Sequence, residues 1–194
     1  MKIVGTDAPE VERALRSGGL ACPSCAGRLQ PWGHARVRVV RHHDALERRR
    51  PRRSRCGRCS LTHVLVGEDC LLRRRDGVEV IGAALVAKAA GHGHRPIAAD
   101  LGLTASTVRN WLRRFAAGAE AVRSFFTALA HDLDPLLGPL APSGSAFADA
   151  VEAIAAAARA AVARLGPRRP WSFASAASGG RLLSNTNCPW AGAA

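Results

Sequence analysis

The sequence predicts an α+β protein, with short antiparallel strands in its N-terminal part and helices in the rest. Apolar and polar residues alternate at 36–41 and 62–66, as they do in strands with one buried face. From residue 77 onward the apolar residues recur every three or four positions, as on one face of a helix. Within that helical part, Gly102 and Thr104 stand where a helix-turn-helix needs a tight turn and a helix cap.

Changes of pattern divide the chain of 194 residues into five predicted segments. They are a lead-in at 1–20 with a weak helix at 4–15, strands with an Arg-rich hairpin at 21–76, a helix-turn-helix at 77–118, two amphipathic helices at 119–166, and an irregular tail at 167–194. In the second segment, Val37 and Val39 share one strand face and oppose Arg36 and Arg38. Residues 42–50 are predicted to be a polar connection that Pro51 closes, and 52–55 to lead into a third strand.

Four of the six cysteines form two Cys-x-x-Cys pairs, Cys22/Cys25 and Cys56/Cys59. The first residues lack an apolar signal segment, so we expect a reducing compartment in which disulfides do not persist. Each pair can supply one edge of a tetrahedral thiolate site, and together they predict one structural Zn²⁺ in a zinc ribbon. Two unrelated reduced pairs, or a thioredoxin-like redox pair, remain the alternatives.

The spacing and the other candidate ligands need separate expectations. The 30 residues between the pairs exceed the usual roughly 15–20, so we expect a hairpin that extends away from the metal. His63 is expected to face outward from its strand, and Cys70 to be a buried thiol. Four thiolates close a tetrahedral site, which disfavours a catalytic zinc.

Positive charge is concentrated in the N-terminal half. The chain carries a net charge of +13, and residues 1–77 hold 17 basic and 8 acidic side chains. Such an excess indicates a polyanionic partner, most often nucleic acid, although a solvated Arg-rich loop is the alternative. The arginines predicted to contact the phosphate backbone are Arg48, Arg49, Arg50, Arg52, Arg53 and Arg55.

The helix-turn-helix is predicted from capping and turn chemistry. Pro96 begins the second helix, Gly102 makes the turn, and Thr104 caps a third helix that runs through Ala117. Trp111 is expected to cap the three-helix core or to lie at its edge. The side chains predicted to reach DNA from the third helix are Ser106, Thr107, Arg109, Asn110 and Arg113. A helical hairpin in an ordinary bundle is the alternative.

The C-terminal part gives no pattern of a catalytic centre. Its five acidic residues fall in or beside helical stripes, whereas an acidic-triad transposase needs carboxylates converging on a sheet. The chain contains no Tyr, which disfavours a tyrosine recombinase. We therefore expect a protein that is not an enzyme. Its C-terminal helices are expected to pack on the third helix or to pair two protomers.

Residues 96–115 resemble the helix-turn-helix at the front of insertion-sequence transposases and related homeodomain-like proteins. With the cysteine pairs and the run Arg55–His63, the arrangement resembles a family of high-GC bacterial proteins of unknown function. These carry a transposase-type zinc ribbon before a helix-turn-helix. A fainter likeness covers the tail motif 178–187. The resemblance implies DNA binding linked to mobile elements or to transcription.

These observations predict a sequence-specific protein that binds double-stranded DNA, as a regulator or accessory factor of a mobile element. The DNA-binding part of a split or degenerate transposase is one alternative, and an RNA-binding or protein-docking zinc ribbon is another. No apolar run approaches the roughly 20 residues that a membrane span needs. We therefore expect a cytoplasmic, nucleoid-associated protein without a membrane partner.

Overall fold

The computed structural model describes residues 1–184 and confirms the α+β class: a small sheet comes first and helices follow. The strands are β1 Lys2–Val4, β2 Leu29–His34, β3 Arg38–Arg41, β4 Leu46–Arg49, β5 Arg52–Cys56 and β6 Thr62–Gly67. The helices are α1 Ala8–Ser17, α2 Val78–Ala89, α3 His94–Asp100, α4 Ala105–Ala117, α5 Ala119–Leu133, α6 Ala146–Leu165 and α7 Pro170–Ala177.

The main sheet has the strand order β1-β6-β5-β2, in which β6, β5 and β2 are antiparallel and β1 runs parallel to β6. The segment expected to be a lead-in therefore belongs to the sheet. Its helix α1 is capped by Asp7, whose side chain accepts a hydrogen bond from the N–H of Glu10 at 3.1 Å. Leu15 of α1 is buried against Leu29 and the first cysteines, so α1 covers one face of the sheet.

The Arg-rich segment forms a separate hairpin of β3 and β4, paired from Arg38↔Arg49 to Arg41↔Leu46. Residues 42–50 were expected to be a connection, and this prediction is wrong because they contain β4. Val37 and Val39 are exposed, and the buried residue is Val40, which packs against Val66 and Cys70, so the face that carries Val37 and Val39 is not the buried one. Backbone bonds to the chain before α2 fix this orientation, since the N–H of Gly77 donates to Arg41 O at 2.7 Å.

The hairpin is tied to the start of the helical part. The N–H of Arg41 donates to Arg75 O at 2.8 Å, and its guanidinium lies 3.4 Å from the buried carboxylate of Asp76. Burial raises the pKa of Asp76, and Arg41 acts against that shift. We call the N-terminal part with the main sheet and the hairpin the ribbon. These contacts join the ribbon to the helical part in addition to the covalent chain.

Helices α2, α3 and α4 form the predicted three-helix unit around Ile81, Leu85, Val108 and Phe115, all of which are buried. Trp111 is only 3% exposed, so it lies in the core and not at its edge. The apolar face of α4 is thus fully used in packing, and its other face stays in solvent.

Helices α5 and α6 pack against each other and run in the same direction. Near their ends, Arg164 Nη1 donates to Asp132 O at 3.0 Å. Near their starts, Phe147 of α6 packs edge-on against Phe115 of α4, with ring centroids 4.8 Å apart. The C-terminal helices therefore pack on the third helix of the helix-turn-helix, which is one of the two expected arrangements.

The tail is not irregular throughout, because residues 170–177 form α7. Gly82 of α2 leaves room for the ring of Trp171, because a Cβ at this position would lie 2.3 Å from that ring. Ser175 Oγ donates to Cys70 O at 2.7 Å, which anchors α7 to the end of the ribbon. The last residues of the tail motif, 185–187, and Cys188 lie outside the described residues. No helix within residues 1–184 is long and apolar enough to cross a membrane.

Candidate metal centre and nucleic-acid interface

The four thiols of the two cysteine pairs lie together at one end of the sheet. All four sulfur atoms are within 4.8 Å of one another, with Cys22 Sγ 3.8 Å from Cys59 Sγ and Cys25 Sγ 3.5 Å from Cys56 Sγ. Bonds of about 2.3 Å in a tetrahedral site correspond to sulfur separations of roughly 3.8 Å. The cluster therefore has the dimensions of a four-thiolate metal site.

The two turns that carry these thiols have the same backbone pattern. In the first, Ser24 N–H donates to Cys22 Sγ at 3.4 Å and Ala26 N–H donates to Cys22 O at 2.9 Å. In the second, Arg58 N–H donates to Cys56 Sγ at 3.3 Å and Ser60 N–H donates to Cys56 O at 3.1 Å. The N–H donors favour the charged thiolate and lower its basicity.

Each turn ends with a residue in the left-handed region, Ala26 at φ 57° and Ser60 at φ 59°. This conformation is uncommon for residues other than Gly, and its occurrence at both equivalent positions shows that the turns are matched. Gly27 then lets the second turn approach, because a Cβ there would meet Arg58 Cβ at 2.7 Å and Cys56 Sγ at 3.0 Å.

The thiols have unequal acidities. N–H donation from Cys59 and Arg58 lowers the pKa of Cys56 to about 6, despite partial desolvation. Burial raises the pKa of Cys22, but N–H donation from Ser24 and Cys25 outweighs it and lowers the value to about 7. The N–H of Leu61 lowers the pKa of Cys59, but desolvation and the neighbouring thiols outweigh it and raise the value to about 12.

This inequality is what a crowded thiol cluster shows without a cation. Thiolates at these separations repel one another, so some sulfurs keep their protons while others ionise. A divalent soft ion removes the repulsion and allows full deprotonation. The donor set, the spacing and the burial all fit one tetrahedral ion with no open position.

His63 was expected to face outward, and that expectation is wrong. Its ring is buried, 6% exposed, and Nε2 lies 3.4 Å from Cys22 Sγ. The cause is the register of β6: His63 pairs with Ser54, whose side chain is on the buried face with Cys56 and Leu29. His63 therefore lies beside the thiol cluster as a neighbour of one ligand.

Cys70 is a buried thiol, as predicted. It is fully covered, and burial raises its pKa to about 11, so it stays protonated at neutral pH. Its buried neighbours are Val40 of the hairpin and Val66 of β6, in a cluster separate from the four cysteines.

The second candidate site is the exposed face of α4. Thr104 caps the helix, its Oγ1 accepting from Thr107 N–H at 3.4 Å. Arg109, Asn110 and Arg113 are exposed, and so is Ser106. Thr107 is half-buried, and its hydroxyl lies 2.8 Å from Thr104 Oγ1. Thr107 therefore completes the cap, which leaves the other four side chains on the solvent face.

Two arginines of the set predicted to contact phosphates, Arg49 on β4 and Arg52 on β5, are engaged in ion pairs. Arg49 contacts Glu47 and lies 2.6 Å from Asp69, and Arg52 lies 2.8 Å from Glu12 of α1. Glu47 lies two residues before Arg49 on β4, whereas Asp69 and Glu12 are distant in sequence, so the run of arginines alone did not reveal the last two pairs. The pairs hold the hairpin and the strand β5 in place and leave less charge for a partner.

The remaining arginines of the set are more open. Arg48 and Arg50 are exposed and take part in no ion pair found among residues 1–184. Arg53 donates to Thr62 Oγ1 at 3.2 Å, and Arg55 stacks on Trp32 with its guanidinium carbon 4.8 Å from the ring centroid. The predicted set therefore contains two ion-paired arginines, the half-buried Arg53, and the exposed Arg48, Arg50 and Arg55.

A cavity of about 570 Å³ lies beside α4. Asn110 and Arg113 line one side of it, and Arg181 and the buried Leu182 from the C-terminal segment line another. The basic face of α4 thus continues onto the segment after α7.

Comparison with known families gives a match in the helical part. Residues 79–123 match the homeodomain-like domain family. The match covers α2, α3, α4 and the start of α5, and it supports a DNA-binding helix-turn-helix. No curated protein and no solved structure matches the chain. The homeodomain-like match does not extend to the four-cysteine sheet.

Proposed function

We propose that this protein binds double-stranded DNA in a sequence-dependent way, with α4 in the major groove. The observation that carries the proposal is the exposed face of α4, where Arg109, Asn110 and Arg113 stand free of the core inside a homeodomain-like unit. Arg pairs well with guanine and Asn with adenine at major-groove base edges. Ser106, at the exposed start of the helix, suits a phosphate or base contact.

The metal centre has a structural role in this proposal. We infer that Zn²⁺ is the ion, because four thiolates in a closed tetrahedral set favour zinc in a reducing compartment. Bound Zn²⁺ would hold the two matched turns together and so fix the sheet that supports the hairpin. It would neutralise the charge of the thiolates and would take no part in a reaction.

The hairpin supplies non-specific affinity. Arg48 and Arg50 are exposed on or beside β4 and suit contacts with the DNA phosphates. Arg41 and Asp76 tie the hairpin to the start of α2, so the hairpin and α4 are presented as one unit. A pairing of protomers through α5 and α6 remains a separate hypothesis.

A role without catalysis fits the C-terminal acids. Glu120 pairs with Arg123 and Glu152 pairs with Arg159, while Asp149 accepts a hydrogen bond from the N–H of Ser143 at 2.6 Å. Two of these carboxylates form ion pairs on helix surfaces, and the third accepts a hydrogen bond near the start of α6. We therefore propose a regulator or accessory factor of a mobile element. A split transposase is the competing role, which association with a separately encoded acidic-triad subunit would favour.

The test compares duplex binding by the wild-type chain and Arg109→Ala. Loss of a base contact should cost about 1–3 kcal/mol on the preferred site and reduce base preference at one position. Arg159→Ala is the matched control, because Arg159 is exposed on α6, away from α4. Equal weakening by Arg109→Ala on every duplex would reject base contact. Stronger binding to RNA than to any duplex would favour the RNA-binding alternative.

A further inference from the structure

We propose that the outer face of the ribbon sheet is a second nucleic-acid site, which binds a single strand by stacking an unpaired base on Trp32. This site is separate from α4 and does not depend on the proposed duplex binding. Its parts lie on β2, β5 and β6, none of which carries an acidic residue.

Strand register defines the face. Arg55 pairs with Gln30 on one side and with Thr62 on the other, so these three side chains stand in a row across β2, β5 and β6. All three residues are exposed. The opposite face carries Leu29 and Ser54, which are fully buried towards α1 and the thiols. Only the outer face is therefore open to a ligand.

Trp32 is the feature of this face that folding does not explain. It is 49% exposed on a small sheet whose other large apolar side chains are largely turned inward. Its described ring contact is Arg55, whose guanidinium lies over the ring at 4.8 Å. An indole held beside an arginine offers a stacking surface and a phosphate partner at neighbouring positions.

The chemistry of the face favours nucleic acid over a peptide. Arg53 and Arg55 form no ion pair among the described residues, so the face is positively charged. Gln30 and Thr62 add an amide and a hydroxyl, which can bond to base edges or phosphates.

The edge strand β2 is also poorly suited to pairing with a peptide strand. It contains Pro31, its register shifts between Pro31 and His34, and Gly33 has φ 73°. Arg52 Nη1 donates a hydrogen bond to the carbonyl oxygen of Gly33 at 2.7 Å. A peptide strand adding to this edge would find an interrupted row of backbone partners.

The occupant is a single strand because stacking needs a free base face. In a duplex, neighbouring pairs cover both faces of every internal base. A row of one aromatic, two arginines and two polar groups suits a strand of a few nucleotides. DNA and RNA share this chemistry, and the experiment below separates them.

The test measures binding of fluorescein-labelled oligothymidylate of about 12 nucleotides to the zinc-loaded chain by fluorescence anisotropy. Trp32→Ala should weaken binding about five- to one-hundredfold, whereas Trp32→Phe should stay within a few-fold of wild type. Leu46→Ala is the matched control, since Leu46 is an exposed apolar residue, 67% exposed, on the separate hairpin. Oligouridylate and oligodeoxyuridylate of the same length carry the same base, so comparing the two shows whether the sugar matters.

Two further arms make the result decisive. Trp32→Leu keeps an apolar side chain without an aromatic face, and it should lose affinity with zinc content unchanged. Duplex binding by all Trp32 variants should stay at the wild-type level, which separates this site from α4. Wild-type affinity of Trp32→Ala or Trp32→Leu for the single strand would overturn the proposal. An equal loss on duplex and single strand would overturn it as well.

Discussion

The ribbon and the helical part are stabilised in different ways. Beside the thiol cluster the ribbon buries a few apolar side chains, chiefly Leu15, Leu29 and Leu65. The helical part has a continuous core from Leu71 to Leu183 that includes Phe115, Trp111 and Phe126. A domain with a small hydrophobic core usually needs a bound metal or a cross-link to be stable, whereas a domain with a large core does not. We therefore expect the stability of the ribbon to depend on a bound metal and that of the helices to depend on packing.

The largest expected effect is metal removal. Structural zinc contributes apparent binding free energies of about 10–16 kcal/mol in small zinc domains, so a chelator should unfold the ribbon. The helical signal in circular dichroism should largely remain, because the helical core lies apart from the thiols. Hydrogen exchange should show lost protection at β5 and β6 and retained protection at α4. Equal loss of protection in both regions would contradict the view that only the ribbon depends on metal. Cys70→Ser is the control variant, and it should keep its zinc.

The next effect is the pH dependence of zinc affinity. Metal binding needs thiolates, so protons compete with zinc wherever a thiol is protonated. The pKa of Cys56 is lowered to about 6 and that of Cys22 to about 7, so these two release no proton on binding at pH 8. Cys59, with its pKa raised to about 12, does release one.

Below about pH 6, Cys22 and Cys56 are protonated as well in the metal-free protein. Each extra proton displaced adds one to the slope of log affinity against pH, so below pH 6 this slope should be about two units larger than at pH 8. Competition with a chromophoric chelator across this range measures both slopes. A single slope from pH 5 to 8 would contradict the unequal thiol acidities.

A packing substitution should act on the helices alone. Gly82→Leu places a side chain where the Trp171 ring lies, and overpacking of this kind typically costs about 1–3 kcal/mol. The melting temperature of the helical part should fall while zinc stoichiometry stays unchanged. Val86→Leu is the matched control, because Val86 is 48% exposed on the same helix. Loss of zinc in Gly82→Leu would show that the two regions fold as one.

The smallest effect concerns salt. If Arg48 and Arg50 contact phosphates, changing both to Gln should lower the slope of log affinity against log salt by about two. The preferred DNA sequence should not change, since phosphate contacts carry no sequence information. Arg49→Gln serves as the contrast, because it breaks pairs with Glu47 and Asp69 and should destabilise the hairpin instead. An unchanged slope in the double variant would show that the hairpin does not contact the DNA phosphates.

Local patterns were predictable from the sequence. The two cysteine turns and the Thr104 cap depend on residues three or four positions apart, and the structure places them as those patterns require. The apolar stripe of α4 was predictable for the same reason, since its period is set by the helix itself.

The remaining features depend on contacts between distant residues. Helix α7 is stabilised by the fit of Trp171 on Gly82, which no local pattern reveals. The inward position of His63 follows from strand register, and a shift of one residue reverses every side chain of a strand. Trp32 stands in a segment with Pro31 and Gly33, which weakened any strand pattern there.

If base preference lies in α4, the sequences that the chain selects from random duplex DNA should depend on the side chains of that helix. The zinc-loaded wild-type chain should enrich one motif, and Asn110→Ala should lose preference at one adenine-containing position of that motif. The Arg48/Arg50→Gln variant should enrich the same motif with weaker binding. Enrichment of no motif, or an unchanged motif in both Asn110→Ala and Arg109→Ala, would contradict the account.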